Sequence, residues 1–202
     1  MKIILASNSP RRRELLAGLG FDYEVRTLQG LDESYPEGLS MEEIPQYISR
    51  KKAAAYALKE DELLITADTI VFLDGEVLGK PADETEAKEM LHKLSGKTHQ
   101  VVTGVTLMYN GQCTMDDGKC TKGNEIKVHS FSSVSQVTFA ELSEAEIDHY
   151  VTQYRPLDKA GAYGIQEWIG YIGVTSIEGS YFNVMGLPVQ RLYTEMKKLN
   201  LL

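Results

Sequence analysis

The sequence predicts an α/β fold, on three observations. Short apolar runs alternate with segments of helical periodicity along the whole chain. Capping signals open the helical segments: Ser9-Pro10, Ser40 with Glu43, Asp83 with Glu86, and Ser143 with Glu146. No internal repeat or low-complexity stretch interrupts the alternation. A chain of 202 residues suits one domain, or two lobes sharing one core, and we expect a single domain over 1–202. With 43% hydrophobic and 25% charged residues, disorder is excluded. No apolar run approaches the ~18 residues of a membrane span, so no membrane role is expected. Two cysteines, Cys113 and Cys120, are too few for a secreted disulfide framework, which leaves a cytoplasmic location as the expectation. A net charge of −8 argues against nucleic acid as a partner, because that binding rests on phosphate neutralisation by basic side chains.

Lys2 to Ala6 reads as a buried strand, followed by a helix capped by Ser9 and stopped at Gly20. Residues 22–39 read as loop or edge strand. A second helix starts near Ser40, or later because of Pro45, and reaches Leu58. Leu63 to Ala67 predicts a short strand. Ile70 to Leu73, Asp74-Gly75 and Glu76 to Leu78 predict a hairpin, since Asp-Gly is a favoured two-residue turn. Asp83 caps a helix through Leu94. His99 to Tyr109 and Val128 to Phe139 are strands, and the polar stretch 110–131 contains a surface insertion. Ser143 caps a helix to Tyr154, residues 155–167 form a loop, and strand pieces follow at Ile169 to Ile177 and Tyr181 to Val184. Pro188 opens a last helix ending near Leu199.

Five places carry chemistry. Ser7-Asn8-Ser9-Pro10-Arg11-Arg12 joins a strand to a helix N-terminus, where unpaired N–H groups and a partial positive charge favour phosphate. The arginines add bidentate donors, although the same residues also describe an ordinary capped helix. Lys52 falls on the apolar stripe of Ile44, Ile48, Ala55 and Leu58, so it either snorkels to water or meets a buried anion. Asp68 lies between two apolar runs, where a carboxylate needs a partner or a metal; a turn between strands is the plain alternative. Lys80 follows the hairpin at a rim set by Pro81. Gln166 closes the glycine-containing run Asp158 to Gln166, offering both a donor and an acceptor. The four histidines (His92, His99, His129 and His149) lack metal-ligand spacing, and most are expected at the surface.

In order along the chain, Ser7-x-Ser9-Pro10-Arg11-Arg12, Ala67-Asp68-Thr69-Ile70-Val71, Gly79-Lys80-Pro81, Leu157 to Gln166, and Gly179-Ser180-Tyr181 with Gly186-Leu187-Pro188 resemble the Maf family of nucleoside triphosphate pyrophosphatases. The resemblance implies a fold similar to inosine triphosphate pyrophosphatases: a long mixed sheet with flanking helices, in two lobes around a central cleft. It implies hydrolysis of a nucleoside triphosphate to the monophosphate and pyrophosphate with Mg²⁺ or Mn²⁺. Within the family the Asp-Thr pair and Gly-Ile-Gln are similar to the branch acting on dTTP and UTP. By matching position, Asp68 is implied as general base, and Arg11, Thr69 and Gln166 as the residues of substrate choice. Ser7, Ser9, Arg12, Lys52 and Lys80 are implied to bind phosphate, and Glu33 with Asp68 to hold the metal. A homodimer is also suggested.

Two features depart from the family pattern. Glu167-Trp168 stands where a small glycine-containing turn is usual, and 110–131 is longer than the usual connection. The competing readings are a pyrophosphatase for 7-methyl-GTP of the same family, and a nucleotide-binding regulator of cell division with little turnover.

Overall fold

A computed structural model describes the backbone of residues 1–110, 114–116, 119–121 and 125–202, and the side chains of 1–110 and 125–202. Much of the expected insertion, with the side chains of Cys113 and Cys120, lies outside the described residues.

Among the described residues, strands β1 (Lys2–Leu5), β2 (Tyr23–Val25), β3 (Glu62–Leu73), β4 (Glu76–Leu78), β5 (Thr98–Asn110), β8 (Ile126–Phe139) and β9 (Val174–Glu178) make one mixed sheet. Its order is β2-β1-β3-β5-β8-β9, with β4 paired to β3. β1 runs parallel to both β2 and β3, whereas β3–β4 and β8–β9 are antiparallel. β6 (Thr114–Asp116) and β7 (Lys119–Thr121) form a separate antiparallel pair. The helices are α1 (Pro10–Ala17), α2 (Glu43–Ala54), α3 (Glu84–Leu94), α4 (Glu144–Tyr154), α5 (Trp168–Gly173), α6 (Tyr181–Val184) and α7 (Val189–Lys198). None is long and apolar enough to cross a membrane.

The chain divides into two compact units: Met1–Asp68, Gly104–Ser132 and Val189–Leu202 in the first, and Thr69–Thr103 with Ser133–Pro188 in the second. In the first, Ile4, Ala53, Leu64 and Met108 form a core cluster with Ala6, Tyr56 and Leu58 packed against it. The first turn of α2 lies directly on β5: a Cβ at Gly104 would sit 2.3 Å from the Pro45 carbonyl carbon, so only glycine admits that approach. In the second unit α3 packs on α4, burying Leu91, Leu94, Ile147 and Val151.

Three of the four cap signals hold: Ser9, Asp83 and Ser143 each accept the predicted backbone N–H, and Ser143 with Glu146 closes a reciprocal capping box. Ser40 and Glu43 bond reciprocally, but α2 starts at Glu43 behind the N-cap Glu42, which makes no side-chain cap bond. At Asp74-Gly75 both residues have positive φ, as the hairpin turn requires. Three expectations fail. Residues 62–73 are one continuous strand, so Asp68 sits inside a strand rather than in a turn between two. α1 and α2 end at Ala17 and Ala54, short of Gly20 and Leu58. The apolar stripe of α2 therefore closes on buried Ala53, while Ala55 is exposed. The strand expected from Ile169 starts only at Val174, after the helix Trp168–Gly173, and Tyr181–Val184 is a helical turn: after Ser180, whose hydroxyl accepts from the Asn183 N–H, local capping outweighs the aromatic and β-branched content of 181–184. Of the four histidines His92 and His149 are exposed and His129 is half-buried, while His99 is 1% exposed.

Candidate active site

β1 delivers Ser7 to the start of α1. Ser7 is buried, and its Oγ accepts from the Ser9 N–H at 3.2 Å. Ser9 in turn caps the helix by accepting from the Arg12 N–H at 3.4 Å. Arg13 donates from Nε to the Ser7 carbonyl at 3.4 Å and so braces the same turn. Arg11 is half-buried in the first turn. Arg12 donates to the Ala67 carbonyl at 2.8 Å, which ties α1 to the residue before Asp68. Burial lowers the pKa of this guanidinium, while the charges of Asp68 and Glu33 counter that effect.

Asp68 is 8% exposed, so its carboxylate needs a partner. Lys52 supplies it: Nζ lies 2.6 Å from Asp68 Oδ1 and 2.8 Å from Glu33 Oε1. The lysine on the apolar stripe thus meets a buried anion rather than snorkelling. Thr66 donates to the Ser49 carbonyl at 2.7 Å, which fastens β3 to α2 and fixes the approach of Lys52. The neighbouring Lys51 grips the loop on either side of Glu33. Its Nζ lies 2.6 Å from Asp32 Oδ2 and 3.0 Å from both the carbonyl and the hydroxyl of Ser34. That hydrogen bond, with those from Ser34, lowers the Asp32 pKa to about 2. Sequence pattern alone missed this clamp, because Asp32 and Lys51 are far apart in the chain and both read as surface charge.

In the first unit Lys52 contacts both Glu33 and Asp68, while Ser7, Ser9 and Arg12 form a second set that reaches the carbonyl of Ala67, next to Asp68. Glu33 and Asp68 share a single ammonium between two hard oxygen donors. Among the described residues no group of three or more His, Cys, Asp or Glu is placed to hold a metal. Two carboxylates suit Mg²⁺, which is commonly held by one or two carboxylates together with substrate phosphates.

The second unit holds Thr69, Lys80 and Gln166. Thr69 Oγ1 lies 2.9 Å from Thr103 Oγ1. Lys80 is exposed just after β4, where the Gly79 carbonyl accepts from the Gly161 N–H at 3.0 Å and so ties the glycine-containing run to the hairpin. Gln166 is half-buried, and its Oε1 is buried with no hydrogen-bond partner among the described residues. The adjacent Glu167 is held on both oxygens. Tyr150 donates its hydroxyl to Oε2, and Lys159 lies 3.1 Å from Oε1 and 2.7 Å from Asp158. Tyr150 also accepts from the Gly164 N–H at 3.0 Å. Burial and the Glu167 carboxylate raise the Tyr150 pKa, so it remains a donor. The acidic departure from the family pattern is thus neutralised within its own unit.

A family model described as Maf-like protein matches residues 2–199. The chain is 64% identical over 200 residues to a dTTP/UTP pyrophosphatase of Phocaeicola vulgatus, covering 98% of this chain and 96% of that protein. It is 60% identical to a protein of the same name from Bacteroides thetaiotaomicron, with the same coverage. Among solved structures, a dITP/XTP pyrophosphatase of Mycobacterium abscessus aligns at 15% identity and a TM-score of 0.40, over 78% of this chain and 97% of that one.

Proposed function

The chain belongs to the Maf family, and from that premise we propose that it hydrolyses dTTP and UTP to the monophosphate and pyrophosphate, clearing these nucleotides from the pool. The observation that carries the reading is the contact of Lys52 with both Asp68 and Glu33 beside the N-terminal turn of α1. That set pairs a buried carboxylate with a phosphate-binding helix start, which is what attack of water at a phosphoanhydride requires. The names carried by close relatives over nearly their full length support the same substrates.

In this reading Asp68 takes the proton from the attacking water, a role worth about 10²–10⁴-fold in rate. The N–H groups of α1, Ser7, Ser9, Arg12, Lys52 and Lys80 neutralise the triphosphate, where positioning and charge matter more than covalent help. Arg11, Thr69 and Gln166 choose the base. The buried Gln166 Oε1, unpartnered among the described residues, supports this role, since a base-edge N–H would satisfy it. Glu33 and Asp68 would hold Mg²⁺ or Mn²⁺, which supplies charge neutralisation on phosphate oxygens when bound.

A panel of nucleoside triphosphates, with pyrophosphate and orthophosphate assayed separately, tests the reading. Pyrophosphate from dTTP and UTP, lost in Asp68→Asn, is the expected result. Orthophosphate alone would place cleavage at the γ-phosphate and reject it.

A further inference from the structure

Glu167 and Gln166 meet over a glycine. A Cβ at Gly164 would lie 2.7 Å from Glu167 Cδ, 2.9 Å from its Oε2 and 3.0 Å from Gln166 Nε2. The carboxylate and the NH₂ end of the amide thus crowd the one place that a side chain at 164 would fill. The carboxylate is fixed there. Tyr150, fully buried, donates its hydroxyl to Oε2, and Lys159, also buried, lies 3.1 Å from Oε1. The same Tyr150 hydroxyl accepts from the Gly164 N–H at 3.0 Å, and the Gly164 carbonyl accepts from the Glu167 N–H at 2.9 Å. One hydroxyl, with one proton to give and lone pairs to accept, therefore ties both ends of the turn 164–167. A carboxylate attracts amide protons and repels an amide oxygen. That leaves Oε1 as the far end of the Gln166 amide, and it is the buried atom with no hydrogen-bond partner among the described residues.

We propose that Glu167 is a positioning residue for base selection: held by Tyr150 and Lys159, its carboxylate keeps the NH₂ end of Gln166 on the Gly164 side, so that the amide oxygen is the atom the nucleotide base meets. The inference rests on the reading above, in which Gln166 helps to choose the base. An amide turned end for end fills the same space but offers a donor in place of an acceptor. Thymine and uracil carry an imide N3–H, which the oxygen satisfies. Cytosine carries a lone pair at N3, so two acceptors would face each other and leave both unpaired. Without the charge of Glu167 the amide turns over at little cost and donates from Nε2 to cytosine. The acidic residue that departs from the family pattern thus acts on selectivity.

The test is kcat/KM for dTTP, UTP and dCTP with wild type, Glu167→Gln and Tyr150→Phe, with a thermal melt of each variant. Glu167→Gln keeps the size of the side chain and an oxygen for the Tyr150 proton but removes the charge. The preference for dTTP over dCTP then falls about tenfold. Tyr150→Phe keeps the charge and the ring but unties the carboxylate, and the preference falls in the same direction. A merely structural role for Glu167 lowers turnover of all three nucleotides together and leaves the ratio unmoved. An unchanged ratio in folded Glu167→Gln overturns the proposal. If Glu167→Gln does not fold, Tyr150→Phe decides: a lowered ratio upholds the proposal and the wild-type ratio overturns it. Failure of the underlying activity is seen separately, as wild-type protein that releases no pyrophosphate from dTTP or UTP, and that result overturns both.

Discussion

Lys52 Nζ stands 2.6 Å from Asp68 Oδ1, with both side chains about one-tenth exposed. The pair joins the middle of α2 to the middle of β3, and it makes a charge inside a strand tolerable. Removing one member leaves the other without its partner, which costs more than the pair contributes. Lys52→Met is therefore expected to lower unfolding free energy by about 3 kcal/mol, with Lys52→Arg intermediate. Urea unfolding of the three proteins measures this. Equal midpoints for wild type and Lys52→Met would contradict it.

Asp68→Asn keeps the size of the side chain and a hydrogen bond to Lys52 but removes the base. Pyrophosphate release should fall by about 10²–10⁴-fold while the melting temperature moves little. Steady-state kinetics beside a thermal melt separates the two effects.

The Lys51 clamp on Asp32 and Ser34 holds the loop that presents Glu33. Lys51→Met should loosen that loop and weaken Mn²⁺ binding severalfold, with less effect on kcat at saturating metal. Titration of free Mn²⁺ by electron paramagnetic resonance reads the affinity directly. Identical binding curves for wild type and Lys51→Met would reject a role for the clamp.

Gly164 faces the Glu167 carboxylate. A Cβ there would lie 2.7 Å from Glu167 Cδ and 3.0 Å from Gln166 Nε2. Gly164→Ala must displace one or both side chains, so KM for dTTP is expected to rise about tenfold. An unaltered KM would mean that the bracing of Glu167 does not govern Gln166.

His99 is buried against Tyr163, 2.7 Å from its hydroxyl, and burial lowers its pKa to about 4 from an ordinary 6.5. The sign follows from linkage: below pH 6.5 the unfolded chain binds a proton that the folded chain refuses. The stability present above about 6.5 is lost as pH falls toward 4, by about 3 kcal/mol from this group. Denaturant unfolding at pH 7 and pH 4.5 should show that loss, and His99→Gln should show less of it. Parallel pH dependence in the two proteins would rule out His99 as its source.

The sequence by itself determined the elements whose signals are local. Ser9, Asp83 and Ser143 cap where they stand because capping needs only the N–H groups two or three residues on. Asp74-Gly75 turns because its own backbone accepts positive φ. The candidate residues stood out locally too: Ser7 and Arg12 at a strand-to-helix junction, Lys52 on an apolar stripe, Asp68 between apolar runs and Gln166 beside glycines. The tertiary structure decided what those groups meet. Whether Lys52 snorkels or pairs depended on the distance from α2 to β3, which is set by packing and by the bond from Thr66 to the Ser49 carbonyl. The helix at Tyr181 overrode residue types that favour strands, because the Ser180 cap outweighs weak β preference over a few residues, and the helix at Trp168 did so without a side-chain cap, with Ile169 and Gly173 buried. Thr103 looked like one more β-branched residue in a strand. Only the fold sets its hydroxyl between Thr69 and the Asn183 carbonyl, because a hydrogen bond needs its partners within about 3 Å whatever their separation along the chain.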